Sequence, residues 1–112
     1  LLSLAEARLA HPLHATEHRS EEFTFREINY KNIRCLHGSA PKGSRVSRPK
    51  IHRDDYELCW VLSGALEITL PSERHELAAG QSLQFDALLE HTYLALEDCE
   101  LLILHIRKEK RF

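Results

Sequence analysis

The sequence predicts an all-β protein, a closed or sandwiched antiparallel fold led in by one short helix. Three observations carry this. Apolar residues fall at a period of two from residue 23 onward. About eight or nine short runs are separated by turn residues at regular intervals. Two of those runs are apolar on both faces. A length of 112 residues suits one domain.

The elements follow in order. LLSLAEARLA, residues 1–10, carries Leu1, Leu2, Leu4, Ala5 and Leu9, the pattern of a short amphipathic helix. Pro12 and a polar stretch to Ser20 end it. Residues 1–22 thus read as an N-terminal helix and connecting segment, and residues 23–112 as the β-barrel domain. FTFREI alternates Phe23 and Phe25 with polar neighbours, and NIRCL follows a polar break. HGSAPKGSRVSRPK is rich in Gly, Ser, Pro and basic residues, and reads as a long loop with a strand around Val46. YELCWVL, Ser63-Gly64 and ALEITL read as strand, tight turn and strand. PSER is a second turn; HEL leads to AAGQ, a turn with Gly80, and then to SLQF. HTYLAL and ELLILHIR are the last strands, separated by Glu97 and Asp98.

In YELCWVL, Leu58, Trp60 and Leu62 lie opposite Glu57, Cys59 and Val61. In ELLILHI, Leu101, Ile103 and His105 lie opposite Leu102, Leu104 and Ile106. A strand with one wet face alternates with polar residues, so these two need a second cover. A subunit interface, giving a homodimer, supplies one; the N-terminal segment folded across that face is the alternative.

Composition narrows the partners. Fifteen Lys and Arg against seventeen Asp and Glu give a net charge of -2, which argues against a dedicated nucleic-acid binder. No apolar run approaches the roughly 20 residues of a membrane span. The opening lacks a basic flank and a clear cleavage site, so it does not read as a signal peptide. The absence of Met suggests a processed chain or a fragment of a longer protein. Cys35, Cys59 and Cys99 are odd in number and include no C-x-x-C, which fits reduced thiols in a cytoplasmic protein better than disulfides or a zinc knuckle.

Eight His are a generous supply of chemistry, and their placement is patterned. Residues 50–64, K-I-H-R-D-D-Y-E-L-C-W-V-L-S-G, hold His52 five residues before Glu57, and Glu57 seven before Gly64. From Gly80 the chain runs G-Q-S-L-Q-F-D-A-L-L-E-H, with His91 eleven residues on. These segments resemble the two motifs of the cupin superfamily, G-x5-H-x-H-x3,4-E-x6-G and G-x5-P-x-G-x2-H-x3-N. The resemblance covers about residues 23–107 and is to small RmlC-like cupins. H-R-D-D-Y-E-L-C-W-V-L-S-G is similar to ligand-sensing cupins of AraC-type regulators, and E-R-H-E-L-A-A-G-Q-S-L-Q-F to those of XRE-type regulators.

The resemblance implies a double-stranded β-helix, or jelly-roll barrel. It implies a divalent metal (Fe, Mn, Ni or Zn) held by His52, Glu57 and His91, with Asp54 able to add an oxygen by a local shift. Lys50 replaces the first ligand His, and its ammonium would repel a cation if turned inward. Asp86, Leu88 and Ala95 stand where the second motif has Pro, Gly and Asn. Strand parity puts Glu57 and Cys59 on one face and His91 and Tyr93 on another, so they meet if both faces point into a barrel. The expected pocket is Lys50, His52, Glu57, Cys59, His91 and Tyr93. Alternatively, His52 is a loop histidine, Glu57 pairs with Arg53 or Lys50, and His91 is a satisfied core residue.

Lys42, Arg45, Arg48, Lys50 and Arg53 lie in an acid-free stretch, residues 40–53, which either attracts an anionic ligand or is a solvated loop. His105 reads as core packing with one hydrogen bond; His11, His14, His18, His37 and His75 read as solvated. No G-x-S-x-G or P-loop occurs. The expected function is a small-molecule-sensing domain of a transcriptional regulator, with DNA bound by a separate domain. A metal-dependent enzyme of dioxygenase, isomerase or decarboxylase type competes with it, as does a storage-like or scaffolding cupin.

Overall fold

The computed structural model describes residues 16–31, 33–48 and 55–108. Among these residues there are ten strands and no helix: β1 Thr16–Ser20, β2 Phe23–Asn29, β3 Ile33–Ala40, β4 Arg45–Arg48, β5 Asp55–Ser63, β6 Ala65–Thr69, β7 Arg74–Ala78, β8 Ser82–Asp86, β9 His91–Ala95 and β10 Cys99–Arg107. The predicted helix over residues 1–10 lies outside the described residues.

Two antiparallel sheets face each other. One has six strands in the order β1-β2-β3-β10-β5-β8, the other four in the order β4-β9-β6-β7. The two orders run in step: β3 leads to β4, β9 to β10, β5 to β6, and β7 to β8. Each of these connections carries the chain from one sheet to the corresponding strand of the other, and the repeated crossing is what rolls the sheet into a jelly-roll barrel.

The period-two pattern builds the core directly. Phe23, Phe25, Leu36, Val46, Cys59, Val61, Leu66, Ile68, Tyr93, Leu101 and Ile103 all point between the sheets and are buried. Burying each large apolar side chain stabilises the fold by roughly 1.5–3 kcal/mol.

Three local expectations are corrected. Ser63-Gly64 is not a hairpin turn, because β5 pairs with β8 and β10 while β6 pairs with β7 and β9. Gly64 is instead a corner between sheets, with φ 76°. A Cβ there would stand 2.1 Å from the Asp98 carbonyl oxygen, so the chain turns this corner only without a side chain. The His37–Ala40 stretch is not loop but the second half of β3. Gly38 sits inside that strand because a Cβ would stand 2.8 Å from the Phe25 ring. Residues 16–20 are an edge strand rather than a connection, paired with β2 through a turn at Glu21, φ 55°. A polar edge strand lacks the apolar alternation that marks the others, and its charges discourage further pairing.

The outer face of the six-stranded sheet is apolar, as the two-sided pattern requires. Across it run Ile28, Cys35, Leu104 and Leu58, in register. Leu102 and Ile106 are half-buried beside them, while Trp60, Leu62 and Tyr56 are 44%, 41% and 40% exposed.

Candidate functional site

Three strands of the core carry a polar residue at one end of an otherwise apolar inward face. Glu57 precedes Cys59 and Val61 on β5, His91 precedes Tyr93 and Ala95 on β9, and His105 follows Leu101 and Ile103 on β10. Because β5 and β10 are antiparallel, the start of one lies beside the end of the other, and Glu57 and His105 are direct cross-strand partners. One rung therefore reads Asn29, Arg34, His105, Glu57, Phe85 across five strands. His91 approaches it from the facing sheet, with its ring edge-on to Phe85 at 4.9 Å.

Glu57 is the hub and is only 1% exposed. His105 donates from Nε2 to its Oε1 at 2.7 Å, and the Tyr93 hydroxyl donates to Oε2. The Nε2 of His91 stands 3.6 Å from Oε1. Burial pushes the Glu57 carboxyl up, but the His105 hydrogen bond, the nearby His91 ring, the Tyr93 hydroxyl and the charge on His105 outweigh it. The group is held below its ordinary 4.5 and is anionic at neutral pH.

His91 is fixed from behind. Its Nδ1–H donates to the Leu89 carbonyl at 2.7 Å, which leaves Nε2 as the nitrogen turned toward Glu57. That nitrogen is buried and has no hydrogen-bond partner. Among the described residues, the buried, unpartnered polar side-chain atoms are the Nε2 of His91, the Nδ1 of His105, the Nε of Arg34 and the hydroxyl of Ser44. Three of these four belong to the Glu57 rung or to His91, which faces it, and each unpartnered buried group costs about 1–3 kcal/mol. Nearby, Arg34 is ion-paired with Glu27 at 2.8 Å.

Of the expected pocket residues, the structure brings Glu57, Cys59, His91 and Tyr93 onto facing inner surfaces, all buried. Lys50, His52 and Asp54 lie outside the described residues, as does Arg53. The Cys59 thiol is pushed up chiefly by burial, then by the Glu57 charge, which disfavours the thiolate. Cys99 is likewise raised, to about 11, by burial and the Asp98 charge. Of the histidines read as solvated, His18, His37 and His75 belong to strands, and His37 and His75 meet Glu100 and Glu73, each at 3.0 Å. His105 makes the single hydrogen bond expected of it. What the sequence reading missed was its partner, and with it Arg34. Both follow from cross-strand register, although the shared inward parity of Glu57, His91 and His105 was visible in the sequence.

The donor set can be tested against a divalent cation. Two donors of one ion with bonds of about 2.1 Å lie about 3.4 Å apart at the tetrahedral angle. His91 Nε2 and Glu57 Oε1 stand 3.6 Å apart, close to that spacing. The anchored Nδ1–H of His91 is the outer contact that metal-binding imidazoles use. Among the described residues no group of three His, Cys, Asp or Glu forms a ready metal centre, so a third donor has to come from elsewhere.

A rolled antiparallel barrel with a buried polar cluster at one end of its apolar interior is a small jelly-roll β-barrel in architecture. The family model for the Cupin domain matches residues 37–107, and the chain belongs to the cupin family. Among solved structures, it resembles an RmlC-like cupin from Shewanella frigidimarina at 9% identity, TM-score 0.71, over 93% of this chain and 94% of that one. It also resembles the cupin domain of an XRE family transcriptional regulator from Enterobacter cloacae, at 15% identity and TM-score 0.69, over 80% of this chain and 100% of that one. A third is oxalate decarboxylase from Bacillus subtilis, a protein with Mn(II) centres, at 16% identity and TM-score 0.69, over 87% of this chain and 28% of that one. At these identities the likeness carries the fold alone. No curated protein matches this chain.

Proposed function

We propose that this chain is a small-molecule-sensing cupin domain of a transcriptional regulator, acting in the cytoplasm. One observation carries the binding part of this reading: His91 and His105, the two imidazoles beside one anionic carboxylate, each keep a buried nitrogen without a hydrogen-bond partner. A guest at the end of the barrel supplies the missing contacts and removes their cost. The regulatory part is supported by likeness to a cupin domain that belongs to a regulator.

His91 and Glu57 are proposed to hold one divalent cation (Fe, Mn, Ni or Zn), with His52 as third donor, and Asp54 able to add an oxygen. Such an ion supplies a Lewis-acid contact for an oxygen of the ligand. Lys50 and the basic stretch beside it favour an anionic organic ligand, such as a small carboxylic acid. Ligand binding then biases the packing of barrel or dimer, and so any domain joined to it.

The spacing of His91 and Glu57 also favours a second reading, a metal-dependent enzyme of dioxygenase, isomerase or decarboxylase type. Elemental analysis and a thermal-shift panel of divalent cations and small organic acids test both. The binding reading expects at least one compound to raise the melting temperature of the wild-type chain and to leave His91→Ala unmoved. No response, or an equal response in both proteins, overturns it. Stoichiometric metal together with consumption of a stabilising acid decides for the enzyme.

We further propose that a second copy of the chain covers the outer face of the six-stranded sheet. Trp60, Leu62 and Tyr56 are exposed there beside half-buried Leu58, Leu102, Leu104 and Ile106. Exposed Arg26 and Glu100 lie on the same face, so two copies related by a two-fold axis can set opposite charges against each other.

A further inference from the structure

We infer that His105 is a positioning residue that sets the Glu57 carboxylate for its guest. The inference rests on the proposal that Glu57 and His91 hold a divalent cation. A glutamate side chain has three torsions, and a carboxylate free to turn presents no fixed lone pair. Here both oxygens are held: Oε1 by the Nε2–H of His105 at 2.7 Å, Oε2 by the Tyr93 hydroxyl. Oε1 has two lone pairs. One accepts His105, which leaves the other open, and the unpartnered His91 Nε2 is 3.6 Å from the same oxygen.

His105 is itself well placed to orient a neighbour. It is 5% exposed and lies on the long strand β10, hydrogen-bonded to β3 on one side and β5 on the other. It stands directly across from Glu57, so the ring needs no extended reach to touch it. It lies outside both sequence motifs that supply Glu57 and His91. The site therefore draws its orienting contact from a strand that neither motif includes. This is the role that outer contacts play at cation sites, where their loss weakens binding about 10- to 100-fold.

The test uses the full chain stripped with a chelator, with Co(II) as probe, titrated calorimetrically and checked by elemental analysis. His105→Leu keeps a similar bulk but donates nothing. His105→Gln restores an amide N–H able to reach Oε1, whereas His105→Asn is too short. Thermal melts establish that each variant is folded. The Leu and Asn variants are expected to bind Co(II) about 10- to 100-fold more weakly than wild type. The Gln variant is expected to return to near the wild-type affinity. A role in folding alone would move the melts and leave the affinity of folded protein untouched. Should the Leu and Asn variants bind as tightly as wild type while His91→Ala abolishes binding, the inference is wrong and the cation proposal stands. Should wild type itself bind no Co(II), both are wrong.

Discussion

Glu57 shows how a buried charge is kept. An isolated carboxylate in an apolar interior would protonate, because desolvation disfavours its charged form. Two direct hydrogen bonds and a second imidazole reverse that here and hold it below 4.5. The sign of the pH dependence follows. A carboxylate with a lowered native pKa contributes stability that is fully present above its unfolded value and is lost as pH falls through the native value. In metal-free protein, the urea midpoint of wild type should therefore fall toward that of Glu57→Gln between about pH 6 and about pH 3. A gap that stays constant across that range would contradict this account of Glu57. At this scale the sequence was partly legible. The resemblance of two segments to the cupin motifs singled out Glu57 and His91. The His105 and Arg34 contacts were not readable, because a residue's cross-strand neighbours depend on register between segments dozens of positions apart.

At the scale of elements, the corners matter more than the strands. The alternation from Phe23 to Ile106 revealed most strands, since period two reports directly which side chains face the core. It could not say which sheet a strand joins. Ser63-Gly64 looks like a hairpin turn because positive φ serves hairpins and corners equally. Only the Asp98 carbonyl, packed where a Cβ would go, distinguishes the two. Gly80 also has positive φ, at 91°, but has open space around its missing side chain. Gly80→Ala should therefore cost only the left-handed backbone penalty of about 1–2 kcal/mol. Gly64→Ala adds a backbone collision and should cost clearly more. Chemical denaturation of the two variants gives the comparison, and equal losses would show that Gly64 is not a packed corner. In the same way Gly38 disguised half of β3 as loop, because the Phe25 ring that excludes a side chain there comes from another strand.

For the whole molecule, the two faces of the six-stranded sheet divide the work. Its inner face closes the barrel and carries the polar rung; its outer face is apolar. The two-sided apolar strands made this legible early, although which cover meets the outer face is not written in periodicity. If a second copy does, Trp60→Glu should convert the protein to a monomer in sedimentation velocity while leaving ligand-induced thermal shifts in place. A wild-type chain that sediments as a monomer across a wide concentration range would remove the dimer.

The central claim is that the end of the barrel between β5, β9 and β10 receives a guest at Glu57 and His91. The most direct measurement is a crystal structure of the protein soaked with Mn(II), read by anomalous difference density. The account predicts a peak within bonding distance of the His91 Nε2 and a Glu57 oxygen. A map with no peak there, or with these two side chains turned out to solvent, would contradict it.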